Sequence, residues 1–349
     1  MRIFFLLLVA LFFLSIPFSK AQRGRDKTVV YEELYDEPYD LNKLWILFQP
    51  VYGELFVSNL TLGYGLEAQY MWDDKAEFRI AGRTAYAIAT DFERDIAENN
   101  VFQINDTRPF TYYEVGGTYH IKDFEGEAET KMILLRSKEN LNKLKASVPD
   151  QIKIPSKKRT IYGARLGALA YNTTTDIDRV IRDDNLVITT TSLEGNEIPL
   201  DPNQELFTNV NTVGIYLGGQ YTKIKNFAVK PDKTFGTLVN DLIFTTYLDL
   251  IFAPTVDLDD VEIRADFDND GIPDDAGEIL TYNLDEISTS SIGFRAGMEG
   301  KFNREWSWAY NAEVGVRPGV SSRGFYFLLK LSFPVYSTQL KNTQEAFGK

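Results

Sequence analysis

The sequence predicts an all-β fold, a transmembrane up-and-down antiparallel β-barrel of about ten strands. Three observations carry that expectation. Segments of roughly 11–15 residues alternate apolar with polar side chains, as tilted membrane strands do. Short turns at one end of these segments oppose long loops at the other. After residue 21 there is no apolar run of the ~20 residues a helical span needs.

The elements follow in chain order. Arg2 gives a positive start, Ile3 to Ile16 is almost wholly apolar, and Ser19 and Ala21 put small residues at −3 and −1 before Gln22. Residues 1–21 therefore read as a cleaved secretory signal. Residues 22–43 read as an acidic periplasmic segment, with Glu32, Glu33, Asp36, Glu37 and Asp40 among its tyrosines. The barrel is expected over 44–333. Its first strand, 44–57, changes phase near Pro50, which points to a bulge because proline cannot complete the ladder.

Strict alternation then takes over. Leu60, Leu62, Tyr64, Leu66 and Tyr70 oppose Thr61, Gly63, Gly65, Glu67 and Gln69. The pattern returns with Phe78 and Ile80 against Arg79 and Arg83, and with Tyr113, Val115 and Tyr119 against Tyr112, Glu114, Thr118 and His120. Residues 160–172 set Arg165 between glycines, and Val213, Ile215 and Leu217 oppose Tyr216, Gly218 and Gln220. In 237–253, Asp241, Thr245 and Asp249 oppose Leu242, Phe244, Leu248 and Leu250. The last three strands set Phe294 and Met298 against Arg295 and Glu299, Trp308 and Val314 against Asn311 and Glu313, and Phe325, Phe327 and Phe333 against Tyr326 and Lys330.

With the N-terminus in the periplasm, the external connections are 57–59, 91–109, 173–211, 254–287 and 317–322. The periplasmic ones are 73–75, 123–159, 224–236 and 303–305. The stretch 123–159 is long for a periplasmic turn. It reads as strands four and five continuing below the membrane and turning near Lys138 to Lys143; two hidden spans there would make the count twelve. Residues 334–349 form a tail.

Composition narrows the function classes. There is no cysteine, so the exported chain has neither a disulfide nor an N-terminal lipid anchor of the cysteine type. A formal charge of −13 argues against nucleic acid as a partner, since phosphate binding needs a basic face. Aromatics at 13% suit interfacial belts. From its signal, alternation, loop asymmetry and Phe-rich last strand, the chain over 44–333 resembles outer-membrane barrel proteins of Gram-negative bacteria. That resemblance implies an outer-membrane location and outer-membrane lipid as a partner.

One loop carries a metal-ligand pattern. Asp266, Asp268, Asp270 and Asp274 stand at positions 1, 3, 5 and 9, with Gly271 at the sharp turn and the Ile272 carbonyl at position 7. Position 12 is Gly277; Glu278 falls one residue late. The run is similar to thrombospondin type 3 and EF-hand loops, which implies Ca²⁺ as a bound ion. The acidic outer loops around it read as a solvated surface. The basic run 136–159 is a candidate docking site for a periplasmic protein, and the acidic 31–40 segment is expected to reach it.

Inside the barrel, Glu67, Arg79, Arg83 and Glu114 lie on neighbouring strands, and a three-residue turn at 303–305 sets Arg295 opposite Glu313. Paired charges of this kind most often fill a narrow lumen. His120 is the only histidine, at the periplasmic rim with no nucleophile motif beside it, so no enzymatic role is expected. The sequence reading is a non-enzymatic structural or interaction barrel with calcium-ordered outer loops; the alternative is a narrow channel for small solutes or ions.

Overall fold

The computed structural model describes residues 31–56, 59–134, 150–192, 195–201, 204–231, 237–264, 278–304, 307–321 and 323–338. Ten strands close into one barrel. They are β1 (Leu44–Phe56), β2 (Asn59–Trp72), β3 (Ala76–Ala85), β4 (Thr111–Leu134), β5 (Asp150–Asp176), β6 (Phe207–Ile224), β7 (Leu242–Leu258), β8 (Ile292–Phe302), β9 (Ala309–Val316) and β10 (Phe325–Ser337). Each pairs antiparallel with its sequence neighbour, and β10 pairs with β1 to complete the ring. Closure leaves no free edge within the wall, which a hydrocarbon environment demands because it offers no other hydrogen-bond partner.

The alternation is realised side by side. Leu166, Leu217 and Leu250 stand more than 60% exposed on the outside, while their strand neighbours Arg165, Tyr216 and Asp249 are buried within. Tilted aromatic contacts such as Trp72 with Phe78 and Trp308 with Tyr310 lie on the outer wall near the end with the tight turns. An apolar wall with aromatic flanks is the outer-membrane barrel pattern. We call the end bearing the long loops outer and the opposite end inner.

Local sequence explains the corners. The tight β2–β3 turn needs left-handed backbone at Asp73 (φ 45°) and Asp74 (φ 56°), a conformation Asp tolerates better than most residues. The expected bulge at Pro50 is present between Gln49 and Tyr52, and the β10–β1 seam shifts register again after Leu331 and after Pro334. β10 runs on to Ser337, four residues past the expected end.

At the inner end, β4 and β5 continue as one ladder as far as Leu134 opposite Asp150. The count is therefore ten. The turn expected near Lys138 to Lys143 lies outside the described residues. Residues 224–236, expected to be a turn, instead include a strand, Phe227–Pro231. It pairs on one side with the N-terminal strand Tyr31–Asp36 and on the other with Leu238–Asn240. Met132 and Ile154 of the β4–β5 extension pack on Phe227 and Val229 of this small sheet. The acidic segment does reach β5: Lys157 N donates to Asp36 Oδ2 at 2.8 Å, and the Tyr39 ring lies 4.3 Å from the Arg159 guanidinium.

The outer end differs from expectation. Residues 91–109 contain a short helix, α1 (Phe92–Glu98), and residues 173–211 contain α2 (Asp178–Asp183). These loops do not simply lie in solvent. Ile177, Val180, Ile181, Leu206, Val261, Ile263, Leu280, Leu284 and Val320 form a shared apolar core over the barrel mouth. Strands Val261–Arg264 and Ile279–Tyr282 pair in a hairpin, and Thr190 Oγ1 donates to the Thr281 carbonyl at 2.7 Å to join a second hairpin to it. Among the described loop acids, Asp183, Asp184, Asp260 and Asp285 are exposed, whereas Asp91, Glu93, Asp176 and Asp178 are buried.

Candidate functional site

The lumen is where alternation concentrates the charged side chains. Arg79, Arg83, Arg165, Arg295, Lys301, Arg317 and Lys330 face Glu54, Glu67, Glu77, Glu114, Asp249, Glu299 and Glu313, one carboxylate for each cation. The strands β1 to β5 and β7 to β10 all contribute, so the network ties the wall together across its interior.

Three layers can be distinguished. At mid-height, Arg295 grips Glu114 in two-pronged fashion at 2.7 and 3.0 Å and reaches Asp249 at 2.8 Å. Arg165 shares Asp249 at 3.0 Å and takes Gln220 at 2.9 Å. Towards the inner end, Glu67 accepts from Lys330 at 2.7 Å and Arg79 at 3.0 Å, and Arg79 also contacts Glu299 at 3.2 Å. Towards the outer end, Glu54 is held by both Arg83 (3.0 Å) and Arg317 (3.0 Å from Nη2).

Tyrosines finish the packing. The hydroxyls of Tyr247 and Tyr326 each donate to Glu313 at 2.5 Å. Gly297 makes this possible: a Cβ there would collide with the Tyr247 ring, so only glycine lets the ring cross the lumen. The Arg295 guanidinium lies 4.3 Å from the Tyr216 ring centroid, and Arg83 lies 3.8 Å from that of Tyr112.

Little space remains. Two cavities among these side chains, one beside Arg83 and Lys330 and one beside Arg165 and Glu299, each have room for about one water molecule. The inner mouth is stopped by an apolar cluster of Leu41, Trp45, Leu47, Met71 and Ile243. The outer half narrows to an aromatic cluster that includes Phe56, Phe110, Tyr171 and Tyr326. Side chains thus fill the lumen along the described residues.

The expected inward residues Glu67, Arg79, Arg83, Glu114, Arg295 and Glu313 all face the lumen. Their pairing needs one correction. β8 and β9 pair Arg295 with Gly315 and Gly297 with Glu313, a register two residues from the expected one. The face is unchanged because side chains repeat every second residue. Arg295 still comes within 3.8 Å of Glu313, but its close partners are Glu114 and Asp249 on other strands. Sequence reasoning missed Glu54, whose phase is hidden by the Pro50 bulge. It also placed Arg317 in the external turn 317–322, whereas that side chain turns inward and is 2% exposed. Lys330 and Glu67 are both visible from alternation; that they pair is not.

His120 sits at the inner rim, with Nδ1 2.7 Å from the Asp74 carbonyl oxygen. Of the expected calcium ligands, Asp266, Asp268, Asp270, Ile272 and Asp274 lie outside the described residues, and Glu278 stands partly exposed just before the strand Ile279–Tyr282. Among the described residues, no group of three or more His, Cys, Asp or Glu side chains is placed to hold a metal ion.

No protein-family model and no curated protein matches the chain. Among solved structures, the chain is similar to Pseudomonas putida OprB in a high-pH structure, with 11% identity over 87% of this chain and 93% of that one and a TM-score of 0.17. It is also similar to the P. putida toluene transporter TodX (10%, 84% and 88%, TM-score 0.16) and to the CymD monoaromatic hydrocarbon channel (8%, 84% and 87%, TM-score 0.18). Scores this low carry no argument about what this chain binds or passes.

Proposed function

We propose that this barrel is a narrow channel for small polar solutes or ions, captured here with its lumen closed. The observation that carries the reading is that the central cation has more than one carboxylate within reach. Arg295 stands at 2.7 Å from Glu114, 2.8 Å from Asp249 and 3.8 Å from Glu313. Arg165 shares Asp249, and Arg79 divides between Glu67 and Glu299. A guanidinium in such a ring can exchange partners without leaving a buried charge unpaired, the event that would otherwise cost several kcal/mol. Apolar filling would hold a barrel of this width as firmly. A charged, neutral-overall lining suits a path that rearranges for hydrated solutes.

The test is conductance of the purified full chain in planar bilayers. Wild type should show small, infrequent openings. Glu114→Gln keeps Arg295 on Asp249 but loosens its grip, so openings should become more frequent. Silence from both proteins, with folding verified, would remove the channel reading.

A second reading rests on the outer end: an interaction barrel that presents the folded cap, with calcium ordering the loop that contains Asp266, Asp268, Asp270, Ile272, Asp274 and Glu278. The apolar core of the cap supports it, since a built surface suits recognition better than loose loops do. Outer-membrane lipid around the wall and a periplasmic protein on 136–159 belong to the same proposal. Calorimetric titration with Ca²⁺ reads its metal component independently of conductance.

A further inference from the structure

Arg317 is held unlike the other lumen cations. Its guanidinium carbon lies 4.0 Å from the Tyr326 ring centroid, 5.2 Å from Tyr112, and 5.4 Å from both Phe56 and Tyr171. Phe110 closes the ring at 5.9 Å. Glu54 meets it at the open side, with Nη2 donating to Oε2 at 3.0 Å and Nη1 donating to Oε1. Aromatic faces around a carboxylate form a receptor for a flat or alkylated cation, with the ring quadrupoles and the acid both selecting positive charge.

Arg317 stands just past β9, where its N–H still donates to the Gly324 carbonyl at 2.7 Å. The chain turns there towards β10, and that turn belongs to the cap. Val320 enters the apolar core of the cap, Gly319–Val320 pairs with Thr289–Ser290, and Arg323 Nη1 donates to the Asp176 carbonyl at 2.8 Å. Displacement of the cap therefore draws on the segment that carries Arg317. Withdrawal would not strand Glu54, because Arg83 holds its Oε2 at 3.0 Å.

We propose that this cage is a recognition site for small organic cations of the guanidinium class, and that Arg317 occupies it as a tethered stand-in when the lumen is closed. The inference rests on the channel reading and names the solute class for it. A neutral solute of the same shape gains neither the ring nor the carboxylate attraction, and an anion gains nothing from the ring faces.

The experiment compares uptake of methylguanidinium and N-methylurea into proteoliposomes holding the full chain, each corrected for protein-free vesicles. Wild type should favour methylguanidinium about tenfold, and Glu54→Gln should erase the preference. In detergent, methylguanidinium should raise the unfolding temperature of Arg317→Ala, whereas N-methylurea should not, and adding Glu54→Gln should abolish the response. If Arg317→Ala does not fold, Tyr326→Leu in the otherwise native chain should reduce the uptake preference. Uptake of both solutes at equal rates overturns the cation site and leaves the channel. No uptake of either, with Arg317→Ala stabilised by methylguanidinium, overturns the channel and supports the site. A folded Arg317→Ala indifferent to methylguanidinium overturns the site.

Discussion

The lumen and the outer cap are built on opposite plans within one chain. In the lumen, charge is inside and apolar surface is outside: Arg295 and Asp249 are buried while Leu250 and Phe294 face outward. In the cap the order is the familiar one, with Ile177, Ile181 and Val261 buried beneath exposed acids. The surroundings decide between the plans. Lipid accepts apolar side chains as readily as a protein core does, so the barrel gains little by burying them and holds its shape through backbone ladders and ion pairs. The cap stands beyond the wall and must exclude water from its own apolar groups.

The contrast predicts where single substitutions will hurt. The largest effect is expected for Arg295→Ala. It leaves Glu114 without its two-pronged partner inside a low-dielectric lumen, a loss of roughly 3–5 kcal/mol, read as a lowered melting temperature of the whole barrel. A drop no larger than that of an exposed-charge variant would show that water already screens the lumen.

Next comes Ile181→Ala, in the cap core and 1% exposed. Removing a buried Ile side chain costs ~2–5 kcal/mol. The loss should be local: amide exchange in 177–210 should quicken while the barrel melts as before. If the barrel melts earlier by a matching amount, cap and wall are one cooperative unit and the contrast between them has no energetic meaning.

The smallest effect at neutral pH is expected for Tyr35→Phe in the inner three-stranded sheet. The Tyr35 hydroxyl is buried and has no hydrogen-bond partner among the described residues. Burial, with added repulsion from Asp241, pushes its pKa from 10.0 up to about 12. The sign follows from linkage. Below pH 10 the tyrosine is neutral whether docked or free. Between pH 10 and about 12 the free form ionises while the docked form resists, so docking of Tyr31–Asp36 weakens as pH rises. Relative to the intrinsic base-catalysed rate, amide protection in that strand should fall over this window in wild type and hold in Tyr35→Phe. Identical alkaline behaviour in the two proteins would assign the release to another group.

Much of the wall is legible in the sequence. Alternation alone puts Glu67, Arg79, Glu114 and Arg295 on one face, and the length of 123–159 points to β4 and β5 running on at the inner end. The failures have specific causes. The turn at 303–305 leaves the β8–β9 register open by two residues, and side-chain period cannot detect an even shift. Glu54 is concealed by a bulge that resets the phase. The cap is concealed because its contacts, such as Thr190 with Thr281, join loops far apart in sequence whose apolar residues follow no simple period.

By itself, then, the sequence determined the architecture and which side chains face inward, because strand period and the solvent on each side are local properties of the chain. Partner choice was decided only in three dimensions. Glu114 and Arg295 meet across the lumen from β4 and β8, and Glu54 meets Arg317 from β1 and the end of β9. Those meetings depend on the height of each residue in the closed ring. Height is set by stagger, bulges and closure summed around all ten strands, and no segment of the chain carries that sum alone.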